Sequence, residues 1–223
     1  MSGGTRRFES DSLPETLPIF PLTGALLLPH ARLPLNIFEP RYLSMVTAAL
    51  GQGRFMGMIQ PKKAPSDPVP DDAAVYETGC AGRITSFAET DDGRFLITLL
   101  GVCRFRIARE LDRVAGYRRI VPNFAPFASD LDHDSGAAGD RKRLVRAVRG
   151  YFALRSIDGD WNAINEASDE ALVTSLAMIC PFEPREKQAL LECGGVTERA
   201  ALLTALMEMA VHEAEATARA GKH

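Results

Sequence analysis

The apolar pattern of the chain changes its period near residue 127, and this change constrains the fold more than any other feature. Before it, Cys103, Phe105 and Ile107 alternate with arginines, the period-2 pattern of a half-buried strand. After it, apolar side chains recur at helical spacing, at positions 144, 145, 148, 151 and 152. The sequence therefore predicts an α+β protein, with a β-rich first half and a helical second half.

Turn signals divide the first half into short strands. The sequence Thr90-Asp91-Asp92-Gly93 lies between two β-type runs, 75–89 and 94–100, and predicts a hairpin. Gly101 is expected to separate the second run from the next strand, 102–108. One helix is expected from Pro40 to Gly51. With further runs at 17–22, 26–28, 33–38, 54–60 and 117–124, the pattern favours seven or so short strands in a small, nearly closed barrel.

The organisation expected from these patterns has four parts. Residues 1–15 are polar and are expected to be a disordered N-terminus. Residues 16–127 form the barrel, whose proline-rich stretch 61–72 is expected to be a mobile surface loop. Residues 128–139 are a linker, and residues 140–219 form a bundle of four helices with short connections.

Charge and cysteine usage limit the partners and the compartment. The formal net charge of −3 gives no overall basic field for nucleic acid or anionic lipid. The four cysteines are far apart and form no CxxC pair, so they are expected to be buried free thiols in a reducing compartment. No apolar stretch reaches the length of a membrane span, and no signal peptide is evident, so a cytoplasmic protein is expected.

Searches for catalytic and metal-binding motifs give negative results. His212-Glu213 begins an HExxH-like string, but Ala216 stands where the second histidine is needed. Asp132-His133-Asp134 lies in the polar linker, where nothing would hold an acid–base pair in place. The sequence contains no P-loop and no G-x-S-x-G elbow. We therefore expect no catalytic residue, no metal and no cofactor.

Several strings resemble, in the same order, the N-terminal substrate-binding domain of Lon proteases. They are Leu-Pro-Ile-Phe-Pro-Leu at 17–22, Leu-Pro-Leu-Asn-Ile-Phe-Glu-Pro-Arg-Tyr at 33–42, Gly-Cys-Ala-Gly-Arg-Ile at 79–84, and Gly-Val-Cys-Arg-Phe-Arg-Ile at 101–107. The segments 184–192 and 197–199 are similar to the helical part that closes that domain. The resemblance implies a six-stranded pseudo-barrel of the PUA-like type followed by a helical bundle. The sequence has neither Walker motifs nor the Ser/Lys peptidase pair of Lon.

The resemblance implies a non-catalytic module that binds unfolded or specific polypeptides, as an adaptor or a recognition module for a protease. Its binding surface is expected to include Phe38, Glu39, Arg41, Tyr42, Phe55 and Phe87. For Glu39 and Arg41 an architectural role is the alternative, with Glu39 capping the first helix. RNA binding is a second hypothesis, based on Arg83, Arg94, Arg104, Arg106, Arg118 and Arg119, although acids interleave with them. A peptidase is a third hypothesis, and the sequence leaves the oligomeric state open.

Overall fold

The computed structural model describes residues 12–63, 69–132 and 136–220. The six strands are β1 (Leu17–Pro21), β2 (Arg32–Ile37), β3 (Phe55–Ile59), β4 (Thr78–Glu89), β5 (Phe95–Val114) and β6 (Tyr117–Asn123). The six α-helices are α1 (Pro40–Gly51), α2 (Arg141–Arg155), α3 (Trp161–Glu166), α4 (Asp169–Ile179), α5 (Pro184–Glu192) and α6 (Val196–Ala220). This architecture is the α+β class predicted from the sequence.

Five strands close into a barrel because β5 is long enough to pair twice. Its first half pairs with β4, and its second half pairs with β6. The circuit β5-β4-β3-β1-β6 then returns to β5. The pairing of β1 with β3 is parallel, and the other pairings are antiparallel. Within the closed part of this circuit each strand has a neighbour on both sides, which protects the barrel from strand-to-strand association.

The core of the barrel is built around Phe105. Its ring is fully buried among Leu17, Ile19, Ile120 and other apolar side chains. Gly79 makes room for the ring, since a Cβ atom there would lie 2.5 Å from Phe105 Cζ and 2.6 Å from the Met58 carbonyl oxygen. Glycine at this position therefore allows one large aromatic ring to fill the barrel centre, as dense packing requires.

A three-stranded arm extends from the barrel. Strand β2 adds to the outer side of β5, with Arg32 opposite Leu100 and Ile37 opposite Phe95. On the other side of β5, the end of β4 runs on past the point where β3 stops pairing. The arm consists of β2, the first part of β5 and the last part of β4, and it ends at the β4–β5 hairpin.

Two departures from the predicted strands have clear physical reasons. Gly101 does not divide β5, since the strand runs through it from Phe95 to Val114. A Cβ atom on Gly101 would lie 2.0 Å from the Leu28 carbonyl oxygen, so the glycine permits a close backbone crossing. Residues 26–28 are buried but form no strand. The described residues therefore form six strands, the number that the family resemblance implies, rather than the seven or so that the apolar runs suggested.

The chain divides into two compact units at other places than the sequence suggested. The first unit comprises residues 1–133 and 182–191, so most of α5 belongs with the barrel rather than with the other helices. The second comprises residues 134–181 and 192–223. The expected linker, 128–139, begins with part of a 3-10 helix, Ala125–Leu131, whose Asp130 is buried. The sequence also gave no sign of the short helix α3.

In the second unit, α2 and α6 pack along their lengths, with Leu144, Val148, Leu203 and Met207 buried. Arg141 holds the end of α3 in place. Its Nη2 donates to the carbonyl oxygens of Ile164, Asn165 and Ala167, and its Nη1 bonds Asp169. These bonds satisfy carbonyl groups that a helix end leaves without intrahelical partners.

Parts of three expectations lie outside the described residues: residues 1–11 of the N-terminus, 64–68 of the proline-rich loop and 133–135 of the linker. The histidine and second aspartate of Asp132-His133-Asp134 fall in the last of these. Of the expected disordered N-terminus, Leu13 is described and packs against the barrel core.

Candidate functional site

Two phenylalanine side chains near the end of the arm are exposed, and one of them contacts a third phenylalanine that is partly exposed. Phe87 on β4 is 41% exposed and contacts Phe95 of β5 edge-on, with 5.0 Å between ring centroids. Phe38 is 61% exposed and directly follows Ile37, the residue opposite Phe95 in β2. We call Phe38, Phe87 and Phe95 the apolar patch. Burial is the default for phenylalanine, so these exposed rings are the candidate functional surface of the arm.

Strand alternation places further residues around the patch. Phe87 lies opposite Ile97, so Phe87 and Phe95 extend the face whose next residues, Ile97 and Leu99, enter the core. Leu96 is exposed on the reverse face, opposite Asn36 and Ala88. Both faces at the end of the arm therefore present apolar side chains to solvent.

Glu39 and Arg41 bond to each other, and Glu39 does not cap the first helix with its side chain. Glu39 is the N-cap residue of α1, yet its side chain makes no cap hydrogen bond. Its carboxylate instead accepts from Arg41, with 3.0 Å from Nε and 2.8 Å from Nη2 to Oε2. The guanidinium also stacks 4.5 Å from the centre of the Tyr42 ring.

Three arginines from different elements hold the segment 69–73, the described end of the proline-rich loop. Arg41 bonds Asp71 and donates to the Val69 carbonyl oxygen at 2.7 Å. Arg113 donates to the Asp71 carbonyl oxygen at 2.9 Å, and Arg118 to that of Ala73 at 2.7 Å. This part of the expected mobile loop is therefore tied to α1, β5 and β6.

Tyr42 and Phe55 do not line the surface expected from the sequence, because both are buried, with 4% and 7% of their surfaces exposed. The Tyr42 ring packs on Phe20, with centroids 4.3 Å apart, and burial raises its pKa to about 12. Phe55 belongs to the barrel core. Of the six predicted residues, the structure brings only Phe38 and Phe87 to the patch.

Three of the six arginines behind the RNA hypothesis form ion pairs with acidic side chains. Arg104 is 2% exposed and paired with Asp130, and Arg118 is paired with Glu110 at 2.7 Å. Arg94 is paired with Asp92 at 2.8 Å. The buried guanidinium of Arg104 is not available to phosphates, and those of Arg94 and Arg118 are already paired with carboxylates.

Metal-binding and membrane-spanning features are not found within the described ranges. No group of three or more His, Cys, Asp or Glu side chains there has an arrangement that would hold a metal ion. Across the same ranges, no helix combines the length and the apolar character that crossing a bilayer requires. All four cysteines are buried free thiols, as expected, and burial raises the pKa of Cys103 to about 12.

The fold is a β-barrel followed by helices. Residues 16–209 match the family model of the ATP-dependent protease La (Lon) substrate-binding domain, and the chain belongs to this family. Among curated proteins, the Lon protease of Desulfosudis oleivorans is 31% identical over 188 residues, which are 82% of this chain and 22% of that protein. The Lon protease of Escherichia coli K12 is 25% identical over 199 residues, 86% of this chain and 24% of that protein.

The chain thus spans about a quarter of the length of the Lon proteases it matches. Two solved structures share its fold. A Lon N-terminal domain protein from Xanthomonas campestris has a TM-score of 0.58 and 25% identity, covering 85% of this chain and 97% of that one. The N-terminal domain of a Mycobacterium avium complex Lon protease has a TM-score of 0.59 and 18% identity, covering 86% and 98%.

Sequence reasoning missed Phe95 and Leu96 as residues of this surface. Both fall inside an apolar run, 95–100, that predicts a buried strand. The available signal was their distance from the turn: they directly follow the Asp92-Gly93-Arg94 hairpin, where a strand end leaves the core. Period-2 alternation alone does not show where along a strand burial stops.

Proposed function

We propose that this chain is a non-catalytic recognition module that binds unfolded or specific polypeptides through the apolar patch. The exposed Phe38 and the contacting pair Phe87 and Phe95 carry the proposal, since they offer aromatic surface to a partner. Membership of the Lon substrate-binding family supports the choice of polypeptides as partners. The buried free cysteines fit action in a reducing compartment such as the cytoplasm.

The first test compares the binding of one protein in two conformations. Fluorescein-labelled α-lactalbumin is titrated with the chain, either native or reduced and carboxymethylated, and fluorescence anisotropy is measured. Only the unfolded form exposes extended apolar segments, so we expect binding to that form alone. Equal binding of the native form, or no binding of either, would refute the proposal.

A variant pair locates the surface. Phe38→Ser with Phe87→Ser removes the exposed rings and is expected to weaken binding about tenfold or more, in line with the weight of aromatic anchors in interfaces. Ile179→Ser is the matched control, since Ile179 is an exposed apolar residue of the second unit. The assignment to the patch fails if the control loses as much affinity as the double variant.

We further propose that the bound polypeptide is passed to a protease. Adding the chain to a Lon protease of the same cell and unfolded α-lactalbumin is expected to raise the initial rate of degradation. The Phe38→Ser, Phe87→Ser variant should not raise it. An unchanged or lower rate with the native chain would leave polypeptide binding intact and remove the adaptor role.

A further inference from the structure

Hydrogen-bonded and non-hydrogen-bonded residue pairs alternate along β4 and β5, and this alternation shows which backbone groups point away from the arm. The Thr90 N–H donates to the Arg94 carbonyl oxygen at 2.9 Å, and the same register pairs Ala88 with Leu96. In an antiparallel pair, residues that exchange both hydrogen bonds alternate with residues whose N–H and C=O groups point outward. The outward groups of β4 are therefore those of Phe87 and Glu89.

These outward groups lie beyond the reach of β3. The register of β3 and β4 ends with Phe55 opposite Arg83, and one further bond joins the Ile84 N–H to the Arg54 carbonyl oxygen. Within the described parts of the chain, no strand pairs with the outer edge of β4 at Phe87 and Glu89. The arm therefore has an open sheet edge directly beside the apolar patch.

The opposite edge of the arm is blocked. The Gly101 N–H donates to the Ala31 carbonyl oxygen at 2.8 Å, so the register of β2 and β5 turns the backbone of Arg32, Pro34 and Asn36 outward. Pro34 has no N–H, and its ring occupies the position that a further strand would take. Proline on an edge strand is a common protection against strand addition.

Charge near the open edge favours a basic partner. The hairpin residues Glu89, Asp91, Asp92 and Arg94 carry three acids and one base, and Arg94 is paired with Asp92 at 2.8 Å. Glu89 and Asp91 remain as exposed carboxylates. Glu89 lies two residues after Phe87 and therefore on the same face of the strand. An apolar side chain followed at the second position by Lys or Arg would match this pair.

We propose that the polypeptide bound at the apolar patch lies as an added β-strand along Phe87 to Glu89 of β4. Its backbone pairs with the outward N–H and C=O groups of these two residues. An apolar side chain packs on Phe87 and Phe95, and a lysine or arginine two positions away faces Glu89. This inference rests on the proposed function and specifies its binding mode, in which backbone bonds supply affinity and alternate side chains supply selectivity.

The test uses one synthetic peptide in three forms. The fluorescein-labelled sequence Ser-Thr-Phe-Thr-Lys-Thr-Ser is prepared unmodified, with N-methyl groups on Phe and Lys, or with N-methyl groups on the two threonines that flank Lys. An added strand bonds its neighbour through every second residue, so one methylated form should lose about tenfold or more in affinity and the other should change little. Equal affinities of the two methylated forms would overturn strand addition.

Variants of the chain give an independent readout. Glu89→Pro removes an outward N–H and leaves the bonds to β5 intact, so it should weaken peptide binding about tenfold. Glu89→Gln should lower the affinity for the peptide less, because only the charge is lost. Asn36→Pro on the blocked edge is the matched control and should bind normally. Circular dichroism verifies that each variant is folded. Equal binding by Glu89→Pro and the native chain would overturn the proposal.

The outcomes separate this inference from the proposed function. If neither the unmodified peptide nor unfolded α-lactalbumin binds, the proposed function fails. If both bind through the patch but neither methylation pattern nor Glu89→Pro matters, only strand addition fails. Sedimentation of the free chain tests whether a second copy of the chain covers the edge instead. A dimer that Glu89→Pro dissociates would show that it does, and this result would overturn the assignment to a polypeptide.

Discussion

Arg104 and Asp130 form a two-pronged ion pair inside the barrel unit. The Arg104 Nε and Nη2 atoms donate to the two carboxylate oxygens at 2.8 and 2.7 Å, and the Arg104 backbone N–H donates to Oδ2 at 2.9 Å. The remaining guanidinium nitrogen reaches the Leu191 carbonyl oxygen at 2.9 Å. One side chain thus joins β5, the 3-10 segment and α5. These bonds help to hold α5 against the barrel, within the same compact unit.

Replacing Arg104 by glutamine should strongly destabilise the barrel unit. Asp130 would then be a buried carboxylate without its counter-ion, which typically costs about 3–5 kcal/mol. Arg94→Gln is the matched control, since that arginine is half exposed in its pair with Asp92 and should lose only about 0–1 kcal/mol. Urea unfolding followed by circular dichroism measures both. Similar free energies of unfolding for the two variants would show that the buried pair is not a main stabilising contact.

Gly101→Ala tests the backbone crossing in β5. The added methyl group would collide with the backbone of Leu28, which has no free rotamer to move away. We expect a loss of about 1–3 kcal/mol in the free energy of unfolding, as for overpacked cores. Gly51→Ala, where the methyl group meets no atom within 4 Å, should change the stability by less than about 0.5 kcal/mol. A neutral Gly101→Ala variant would mean that the crossing can widen.

The same glycine shows what sequence patterns can and cannot predict. Alternation and the Asp-Gly turn correctly indicated strands and a hairpin in this region, because both are local properties of the backbone. The sequence pattern predicted a strand break at Gly101. The position needs glycine for another reason, because the backbone of Leu28, seventy-three residues earlier in the chain, crosses it at close range. Likewise, α5 follows helical periodicity, yet its place beside the barrel depends on Arg104 and on non-local bonds. Tertiary contacts of this kind leave no periodic signal.

The candidate site shows the same limit. The family motif pointed to residues 38–42, but within it the side chains differ in role: Phe38 is exposed, Tyr42 is buried and Arg41 binds the segment 69–73. Exposure depends on where the core ends, which residue type does not reveal. The open edge at Phe87 and Glu89 depends on the register of β3, β4 and β5, so no stretch of sequence alone predicts it.

Tyr42 should titrate later than an ordinary tyrosine. Burial raises its pKa from 10.0 to about 12, because the phenolate would lose its hydration against Phe20. Since the folded pKa lies above the unfolded one, stability should fall as pH rises from about 10 through 12. Ultraviolet absorbance of tyrosinate should show a phase near pH 12 that Tyr42→Phe removes. If Tyr42→Phe removes a phase near pH 10 instead, the ring is more accessible than the structure shows.

Asp169 should make the helical unit sensitive to acid. Its pKa lies below the ordinary 3.8, because the Ala138 N–H donates to its carboxylate at 2.8 Å and Arg141 bonds it as well. A depressed folded pKa gives stability that is present above the unfolded value and is lost as pH falls below about 4 through the folded value.

Trp161, the only tryptophan, begins α3, whose end Arg141 holds, so its fluorescence reports unfolding of this unit. Asp169→Asn should flatten the decline of stability below about pH 4. Glu208→Gln should flatten it less, because the pair of Glu208 with Arg143 is more exposed and better screened. If Asp169→Asn leaves the dependence of stability on acid unchanged, other carboxylates cause that dependence.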